Sequence, residues 1–265
     1  MTVVYSISMN KGGAGKTTLV TNLACALVKK YNKKVLIIDT DGQGNASMAF
    51  GIKNPHTKFK YTIYDVLMGD IKAKDVLYKV DKRLHILPAN KQMNFLEFDV
   101  LPNLKQYGNP FHLLKNRLGN LIYEYDYIFI DTPPSLGLVQ GNVLSISDKV
   151  LIPFHPEPYG DVGLISVLEV INDFRVKENP SLEIAGVVGV KIETRNNIHG
   201  EMLKLARQYC SHQGVHVFDT IIPKAIRFVS SVATDDMPAT WGKIKKNDIA
   251  LAYYNLLEEV LLDVK

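Results

Sequence analysis

A run near the N-terminus has the residue types and spacing of a phosphate-binding loop, in the order Lys-Gly-Gly-Ala-Gly-Lys-Thr-Thr. Glycines let the backbone fold tightly around phosphate oxygens, so that N–H groups and the start of the next helix point at the anion. Lys16 adds a cation, and Thr17 adds a hydroxyl that can bind Mg²⁺. We therefore predict nucleotide binding by the whole run, which comprises Lys11, Gly12, Gly13, Ala14, Gly15, Lys16, Thr17 and Thr18.

The start of this loop departs from the ordinary Walker A pattern. Asn10 stands where that pattern has glycine, and a second lysine, Lys11, follows it. A glycine-rich turn between strand and helix can be purely structural in an α/β protein, but few such turns carry Gly-Lys-Thr at the helix start. We therefore favour nucleotide binding over a structural turn.

Three aspartates stand where apolar, strand-like runs end. Asp39 and Asp41 follow one such run, and Asp131 follows another. The carboxyl ends of parallel strands border the crevice in which α/β proteins bind ligands. One aspartate alone could equally be a helix cap, but three together suit phosphoryl transfer, which needs a metal ion and an oriented nucleophile. We predict that Thr17, Asp39 and Asp131 hold Mg²⁺ and that Asp41 orients the attacking water.

The alternation of apolar runs and helical patterns predicts the fold class. Continuous apolar runs are typical of parallel strands that are covered on both faces. Strand and helix alternate along the chain, so we predict an α/β fold with a doubly wound, mostly parallel sheet flanked by helices on both faces. The predicted strands are 3–8, 35–38, 84–88, 127–130, 150–154, 184–190 and 215–223, and the predicted main helices are 17–31, 111–125, 161–176, 201–210 and 248–262. Residues 50–82 are predicted as an excursion with one or two short helices, and residues 102–110 as a loop.

Length and composition restrict the classes of function. The 265 residues and an apolar fraction of 46% suit an ordinary globular core, and we expect one P-loop domain over residues 1–265. A net charge of +4 permits a polyanionic partner without requiring one. Cys25 and Cys210 lack the spacing of a metal site. The sequence has neither an apolar run of membrane-spanning length nor the pattern of a signal peptide, so we expect a cytoplasmic protein.

The loop is the first of five motifs that follow one another along the chain. The others are Asp39-x-Asp41-x-Gln43-Gly44-Asn45, Asp131-Thr-Pro-Pro-Ser135, Ile152-Pro-x-x-Pro156-Glu-Pro158 and Ile222-Pro-Lys-x-x-Arg227. Together and in this order, the motifs resemble those of the ParA family of DNA-partitioning ATPases, and the resemblance covers nearly the whole chain. Larger plasmid relatives carry a helix-turn-helix domain before the first strand, and we expect no such domain here.

The resemblance implies a weak intrinsic ATP hydrolase that uses Mg²⁺ and works as a homodimer. Two chains would enclose two ATP molecules, and Lys11 would reach the phosphates bound to its partner. A cation supplied in this way can raise a hydrolysis rate by on the order of a thousandfold. The implied catalytic residues are Lys11, Lys16 and Asp41, and the implied dimer interface contains Lys11 and Gly12. The expected partners are non-specific double-stranded DNA and a ParB-like centromere-binding protein that stimulates hydrolysis, and the expected location is the nucleoid.

The resemblance also places the late Ile-Pro motif near the adenine and the DNA. Pro223 is a candidate for lining the adenine, although proline at such a position is often a simple turn residue. Basic residues on a solvated face need no partner, yet those of this region match the family's DNA contacts. The predicted DNA-binding residues are Lys224, Arg227, Lys243, Lys245 and Lys246. In departures from the family, Lys224-Ala225 replaces arginine-asparagine, which leaves the base contacts open, and Gly42 replaces a proline, which would loosen the turn that carries Asp41.

Two other functions stay open on the sequence. A MinD-like ATPase would lie on a membrane through a basic amphipathic C-terminal helix, whereas the polar face of residues 256–265 is acidic. A metabolic P-loop ligase, similar to dethiobiotin synthetase, is the other alternative. Relatives that hold an iron–sulfur cluster are disfavoured because neither cysteine has a neighbour that could help to hold one.

Overall fold

The computed structural model describes residues 1–157, 160–246 and 248–262, with the backbone alone at positions 161, 229 and 262. Pro158 of the fourth motif and residues 263–265 of the predicted C-terminal polar face lie outside the described residues. The strands are β1 (Val3–Ile7), β2 (Val35–Asp39), β3 (Tyr78–Lys79), β4 (Leu84–Leu87), β5 (Tyr127–Asp131), β6 (Lys149–Phe154), β7 (Glu183–Ile192) and β8 (Ile222–Pro223).

Helices connect these strands and follow the last of them. The α-helices are α1 (Lys16–Tyr31), α2 (Asn45–Met48), α3 (Pro55–Lys58), α4 (Ile63–Met68), α5 (Ala73–Val76), α6 (Leu96–Val100), α7 (Leu104–Tyr107), α8 (Leu113–Leu118), α9 (Leu138–Ile146), α10 (Gly160–Lys177), α11 (Asn197–His212), α12 (Arg227–Asp235) and α13 (Leu251–Leu262). Turns of 3-10 helix occur at Lys91–Phe95, Leu101–Asn103, Pro110–His112, Gly119–Glu124 and Ala239–Trp241. Among the described residues, none of these helices combines the length and the apolar character that crossing a bilayer requires.

Within the described residues, the strands form one eight-stranded sheet in the order β3-β4-β2-β5-β1-β6-β7-β8. The pairings are parallel apart from that of β3 with β4, which is antiparallel. The predicted mostly parallel α/β fold is therefore confirmed. Because β5 lies between β1 and β2, the loops that follow these three strands open side by side at the carboxyl edge of the sheet.

Alternate residues of the central strands enter two different apolar cores. Tyr5 of β1 and Phe129 of β5 pack on one face with α1 and α13, and their rings stack with centroids 5.5 Å apart. Val4 and Ile128, one position away, pack on the other face with α4, α8 and α9. Successive side chains of a strand point to opposite faces, so a continuous apolar run is the sequence of a strand that is covered twice. Helices thus flank the sheet on both faces, as predicted.

The predicted helix over residues 111–125 is wrong, because the structure divides this segment. Helix α8 ends at Leu118, Gly119 has a φ of 48°, and a 3-10 turn follows over Gly119–Glu124. Glycine adopts this left-handed φ without a steric penalty, so the helix ends there although the apolar pattern continues. The predicted loop over 102–110 is also wrong in part, because it contains α7.

Several other elements differ from the predicted set. Residues 50–82 contain three short helices, α3, α4 and α5, and the strand β3, where one or two short helices were predicted, and helices α2 and α6 lie outside the predicted elements. The strand expected over 215–223 is reduced to the two residues of β8, and Val217 adds an isolated bridge to Val187. Helix α9 lies outside the predicted helices because it is buried on most sides and lacks an amphipathic period. Its polar residues Gln140 and Asn142 are buried and hydrogen-bonded inside the core. The polar positions of α9 therefore do not mark a face that is exposed to solvent.

Candidate active site

The loop between β1 and α1 has the backbone of an anion cradle. Gly13 and Gly15 have φ values of 72° and 80°, in the left-handed region that glycine adopts most readily. Gly15 immediately precedes α1, so the free N–H groups of the first helical turn begin directly after the loop. A Cβ placed on Gly12 or Gly13 would meet no described atom within 4 Å. This side of the loop is therefore open to a ligand or to another molecule.

Two adjoining cavities lie over the loop. The larger has a volume of about 870 Å³, and its lining includes Gly12 to Thr18, Asp41, Gln43 and Pro133 to Ser135. The smaller has a volume of about 290 Å³, and its lining is mainly apolar, including Leu19, Val190, Pro223, Ile226 and Tyr253. The two cavities share the lining residues Gly15, Thr18, Lys191 and Phe228. A cavity over a phosphate loop that continues into an apolar one can hold the phosphates and the base of a nucleotide.

The side chain of Lys16 folds back toward the start of the loop. Its Nζ donates to the backbone oxygens of Met9 at 2.9 Å and Lys11 at 3.1 Å, and the residue is buried. Burial lowers the pKa of Lys16, and the carboxylates of Asp131 and Asp41 act in the opposite direction. The ammonium is therefore held at the loop by carbonyl groups, next to the space in which phosphates would lie.

Thr17 and Asp131 form a direct pair at the edge of the larger cavity. The Thr17 hydroxyl donates to Oδ2 of Asp131 at 2.6 Å, and Asp131 is fully buried. Its Oδ1 has no hydrogen-bond partner among the described residues. Burial is the main cause that raises the pKa of this carboxyl. A buried carboxylate oxygen without a donor is costly, and a hydroxyl beside it supplies a second hard oxygen, so the pair fits Mg²⁺.

Asp39 and Asp41 occupy different environments, although they are two positions apart. Asp39 is fully buried, and its carboxylate accepts the backbone N–H groups of Asp41 and Ala46, each at 3.1 Å. Burial and the nearby Asp131 raise the pKa of Asp39. Asp41 lines the larger cavity, and its Oδ1 accepts the N–H of Gln43 at 2.9 Å. Asp39 thus fixes the turn that carries Asp41, and its role as a Mg²⁺ ligand stays a prediction.

The described residues contain no cluster of three or more His, Cys, Asp or Glu side chains that could hold a metal by itself. The predicted ligand set has a different composition, because it consists of one hydroxyl and two carboxylates. Mg²⁺ usually keeps several waters and is bound through one or two carboxylates together with substrate phosphates. The site therefore suits a metal that arrives with a nucleotide.

Lys11 is directed at its own chain in this structure. Its Nζ forms an ion pair with Glu157 at 2.5 Å, and the other carboxylate oxygen of Glu157 lies 3.0 Å from Nδ1 of His155. The hydrogen bond from Lys11 is the main cause that lowers the pKa of Glu157. Both partners of the ion pair are partly exposed, so the pair is weak and can be exchanged for other contacts.

The packing around position 42 explains why a glycine is found there. A Cβ at this position would collide with the side-chain amide of Asn94. Asn94 also lines the larger cavity, as Asp41 does. The residue that replaces the family's proline therefore leaves room for an amide that packs against the turn.

The predicted DNA-binding residues differ in how firmly ion pairs hold their side chains. Lys224 pairs with Glu193 at 2.6 Å on the surface, whereas Arg227 pairs at 2.9 Å with Asp248, whose side chain is only 5% exposed. Lys243, Lys245 and Lys246 are exposed. The Arg227 contact ties the start of α12 to the segment just after the lysines, so Arg227 is the most firmly held member of this set.

Some site residues lie outside the predicted set. Glu157 belongs to the fourth motif, but nothing in its residue type indicates that it pairs with Lys11. Lys191, Phe228 and Tyr253 line the cavities from segments far along the chain. The apolar cavity gives no sequence signal, because the side chains that line it are those of an ordinary core.

Comparison with known proteins identifies relatives over most of the chain. Residues 2–184 match the family model described as an AAA domain. The chain is 33% identical to the chromosome partitioning protein ParA of Caulobacter vibrioides over 261 residues, which are 97% of this chain and 93% of that protein. A plasmid partition protein from Borrelia burgdorferi has a similar structure, with a TM-score of 0.74, 26% identity and 98% of each chain covered. Cobyrinic acid a,c-diamide synthase from Mycobacterium smegmatis, solved with a bound ATP analogue and magnesium, has a TM-score of 0.84 and 26% identity over 100% of this chain and 96% of that chain.

Proposed function

Since this chain belongs to the ParA family of partitioning ATPases, we propose that it is a Mg²⁺-dependent ATP hydrolase that dimerises on ATP, binds DNA non-specifically and positions a DNA cargo. The observation that carries the proposal is the pair of Thr17 and Asp131, in which a hydroxyl meets a buried carboxylate with an unpartnered oxygen in the described structure. The pair adjoins a loop with the backbone of a phosphate cradle. We also propose that the chain acts as one P-loop ATPase domain in the cytoplasm, at the nucleoid.

Each residue of the phosphate end has a separate task in the proposed reaction. Thr17 and Asp131 would hold Mg²⁺, which when bound neutralises charge on the phosphate oxygens. Lys16 would offer its ammonium to the phosphates in place of the loop carbonyls that it contacts now. Asp41 would accept a hydrogen bond from the attacking water and direct it at the terminal phosphate. Asp39 would keep Asp41 in place through its bond to the Asp41 N–H.

Dimerisation is proposed from the two residues at the mouth of the loop. Lys16 already supplies a cation to the loop, so Lys11 is a second lysine without a task inside its own site. The space next to Gly12 is open among the described residues. In the proposed dimer a second copy covers this face, and each Lys11 exchanges Glu157 for the phosphates held by the partner. Hydrolysis would then depend on assembly.

DNA binding is proposed for the basic residues after β8. The ion pair of Lys224 with Glu193 is exposed and worth little, so a DNA phosphate could replace the glutamate. The exposed lysines at 243, 245 and 246 need no such exchange. Dimerisation would double the number of contacts and convert weak ones into useful affinity that falls with salt. In this proposal a ParB-like protein stimulates hydrolysis and so releases the dimer from DNA.

The membrane alternative is disfavoured by the packing of α13. Leu256, Leu257 and Val260 are buried in the core beside α1. The acidic residues Glu258 and Glu259 are also engaged, with Lys30 and Thr220. An amphipathic anchor needs a free apolar face, and the apolar side of this helix, as far as it is described, packs against the protein itself.

The similarity to cobyrinic acid a,c-diamide synthase favours a second candidate function, an ATP-dependent ligase that acts on a small molecule. Such an enzyme would bind ATP and magnesium in the same cavity. Its rate of ATP hydrolysis would depend on an organic acid as co-substrate and would not respond to DNA or to a protein partner. The two functions therefore differ in what stimulates the reaction.

A gel-shift titration tests the proposal with the full chain and a random-sequence duplex at low salt. We expect retention of the duplex with ATP and not with ADP, and progressive loss as salt is raised. Gly12→Val should keep ATP binding, because the new side chain has room in a single chain. It should lose both the dimer and the retention, because the side chain would occupy space that the second copy fills in the proposed dimer. Gly200→Val is the matched control, since a Cβ there also meets no described atom within 4 Å. Absence of ATP-dependent retention by the wild-type chain would refute DNA binding.

A further inference from the structure

Lys191 is an exceptional residue in the strand that borders the nucleotide cavity. It lies inside β7 with a φ of 54°. It is also the extra residue of a bulge, because the two residues of β8 pair with Val190 and Ile192 on either side of it. A residue with a β-carbon rarely adopts this left-handed φ, and a bulge re-aims the side chain that it carries. Strain of this kind is retained where the side chain has a task.

The side chain of Lys191 leaves the strand and reaches the phosphate loop. Its Nζ donates to the backbone oxygen of Gly13 at 2.7 Å. An ammonium carries further N–H donors beyond the one given to Gly13. Lys191 is also one of the few residues that line both the larger and the smaller cavity. The cation therefore stands at the junction through which a nucleotide would pass from its phosphates to its base.

We propose that Lys191 is a nucleotide-binding residue whose ammonium contacts the α-phosphate at this junction. The inference rests on the proposed function, because it takes the two cavities as the site of ATP. The other lysines have different tasks in that function. Lys16 is assigned to the phosphates at the loop, Lys11 to the phosphates of the partner, and Lys224, which lines the smaller cavity and pairs with Glu193, to DNA. The α-phosphate is common to ATP and ADP and keeps its bonds during hydrolysis. Lys191 therefore strengthens the binding of both nucleotides without acting on the bond that breaks.

Calorimetric titration of the full chain with ADP and with a non-hydrolysable ATP analogue tests this role. For Lys191→Gly we expect affinity for both ligands to fall by about tenfold, as for the loss of one charge-assisted hydrogen bond. The KM for ATP should rise by a similar factor, and kcat should not follow it. Lys191→Arg keeps the cation and should recover most of the affinity. A loss confined to the ATP analogue would place the contact at the terminal phosphate and overturn the assignment.

The glycine variant separates binding from folding. Glycine adopts the left-handed φ without strain, so Lys191→Gly should unfold at the same temperature as the wild type or above it. Asn32→Gly is the matched control, because Asn32 has the same φ of 54° at the end of α1, and it should leave nucleotide affinity unchanged. Unchanged affinity in Lys191→Gly beside a wild type that binds both ligands would refute this inference alone. A wild type that binds neither ligand would instead refute the proposed function.

Discussion

The two ends of the proposed nucleotide cavity are built in different ways. At the phosphate end, β5 pairs with β1 and with β2 over five positions each, and Asp39 and Asp131 are fully buried at the ends of these ladders. At the base end, β8 contributes only two residues, and β7 bulges at Lys191 where the two strands meet. Ile226, which lines the smaller cavity, is 86% exposed. The phosphate end of the cavity thus lies at the centre of the sheet, and the base end lies at its edge.

This difference in support predicts a difference in response to substitution. Groups at the phosphate end are held by buried hydrogen bonds before any ligand arrives, which is the arrangement that stabilises charge in a transition state. The base end offers apolar contact, and the strained Lys191 stands beside it at the junction. In the proposed function these groups add binding energy without taking part in chemistry. We therefore expect changes at the phosphate end to reduce the hydrolysis rate by large factors and changes at the base end to reduce affinity by small ones.

The largest effect is expected for Lys11→Ala. In the proposed dimer Lys11 supplies a cation to the partner's phosphates, so its removal should lower ATP hydrolysis by on the order of a thousandfold and weaken the dimer. ATP binding should persist, because Lys16 and the loop glycines stay in place. Phosphate release, together with sedimentation in the presence of ATP, measures both effects. A fully active Lys11→Ala protein would show that the second lysine has no task in the reaction.

Glu157→Gln is the control that belongs to this test. It weakens the ion pair that holds Lys11 to its own chain and preserves the shape of the side chain. An exposed ion pair contributes about 0–1 kcal/mol, so the stability of the fold should change little. The variant should hydrolyse ATP at least as fast as the wild type, because Lys11 is released for the partner. A rate as low as that of Lys11→Ala would mean that the two residues act as one unit inside a single chain.

A smaller but still large effect is expected for Asp41→Ala. Asp41 is the residue proposed to orient the attacking water, and its loss should lower the hydrolysis rate by about a hundredfold or more. Nucleotide binding and the dimer should persist, because the phosphate loop, Lys11 and the buried Asp131 stay in place without the Asp41 side chain. Asp41→Asn is the conservative control, since an amide oxygen can still accept the N–H of Gln43. Persistent hydrolysis in the alanine variant would assign the water to another residue.

The phosphate end was predictable because its chemistry is local in the sequence. The loop residues are consecutive, and glycine marks the two positions where the backbone needs a positive φ. Asp39 and Asp131 follow continuous apolar runs, and parallel pairing brings such strand ends together. The sheet itself was predictable for the same reason, since strands covered on both faces have a recognisable composition. The sequence did not reveal that the carboxylate oxygens of Asp39 accept hydrogen bonds from backbone N–H groups.

The base end could not be derived in this way. Val190, Phe228 and Tyr253 come from three separate segments, and such residues are as common in a core as in a cavity wall. Lys191 has a left-handed φ without being glycine, so its residue type gives no sign of the bulge. Pro223 lines the smaller cavity, and its contact with the adenine stays a prediction. Its neighbours there depend on tertiary packing at a sheet edge, which no local pattern encodes.

The smallest effect is expected at the base end, for Phe228→Ala. Phe228 lines both cavities and packs edge-to-face on Tyr253, with ring centroids 5.1 Å apart. We expect the base to stack on this ring when it occupies the smaller cavity. Affinity for ATP and ADP should then fall by about tenfold, because stacking of a base on an aromatic ring is worth roughly 1–3 kcal/mol. Affinity for tripolyphosphate should not change, since that ligand has phosphates and no base, and Phe98→Ala, which removes a ring that is 76% exposed, should affect neither ligand. An equal loss for tripolyphosphate would mean that α12 supports the phosphate loop, and the two ends of the cavity would then form one mechanical unit.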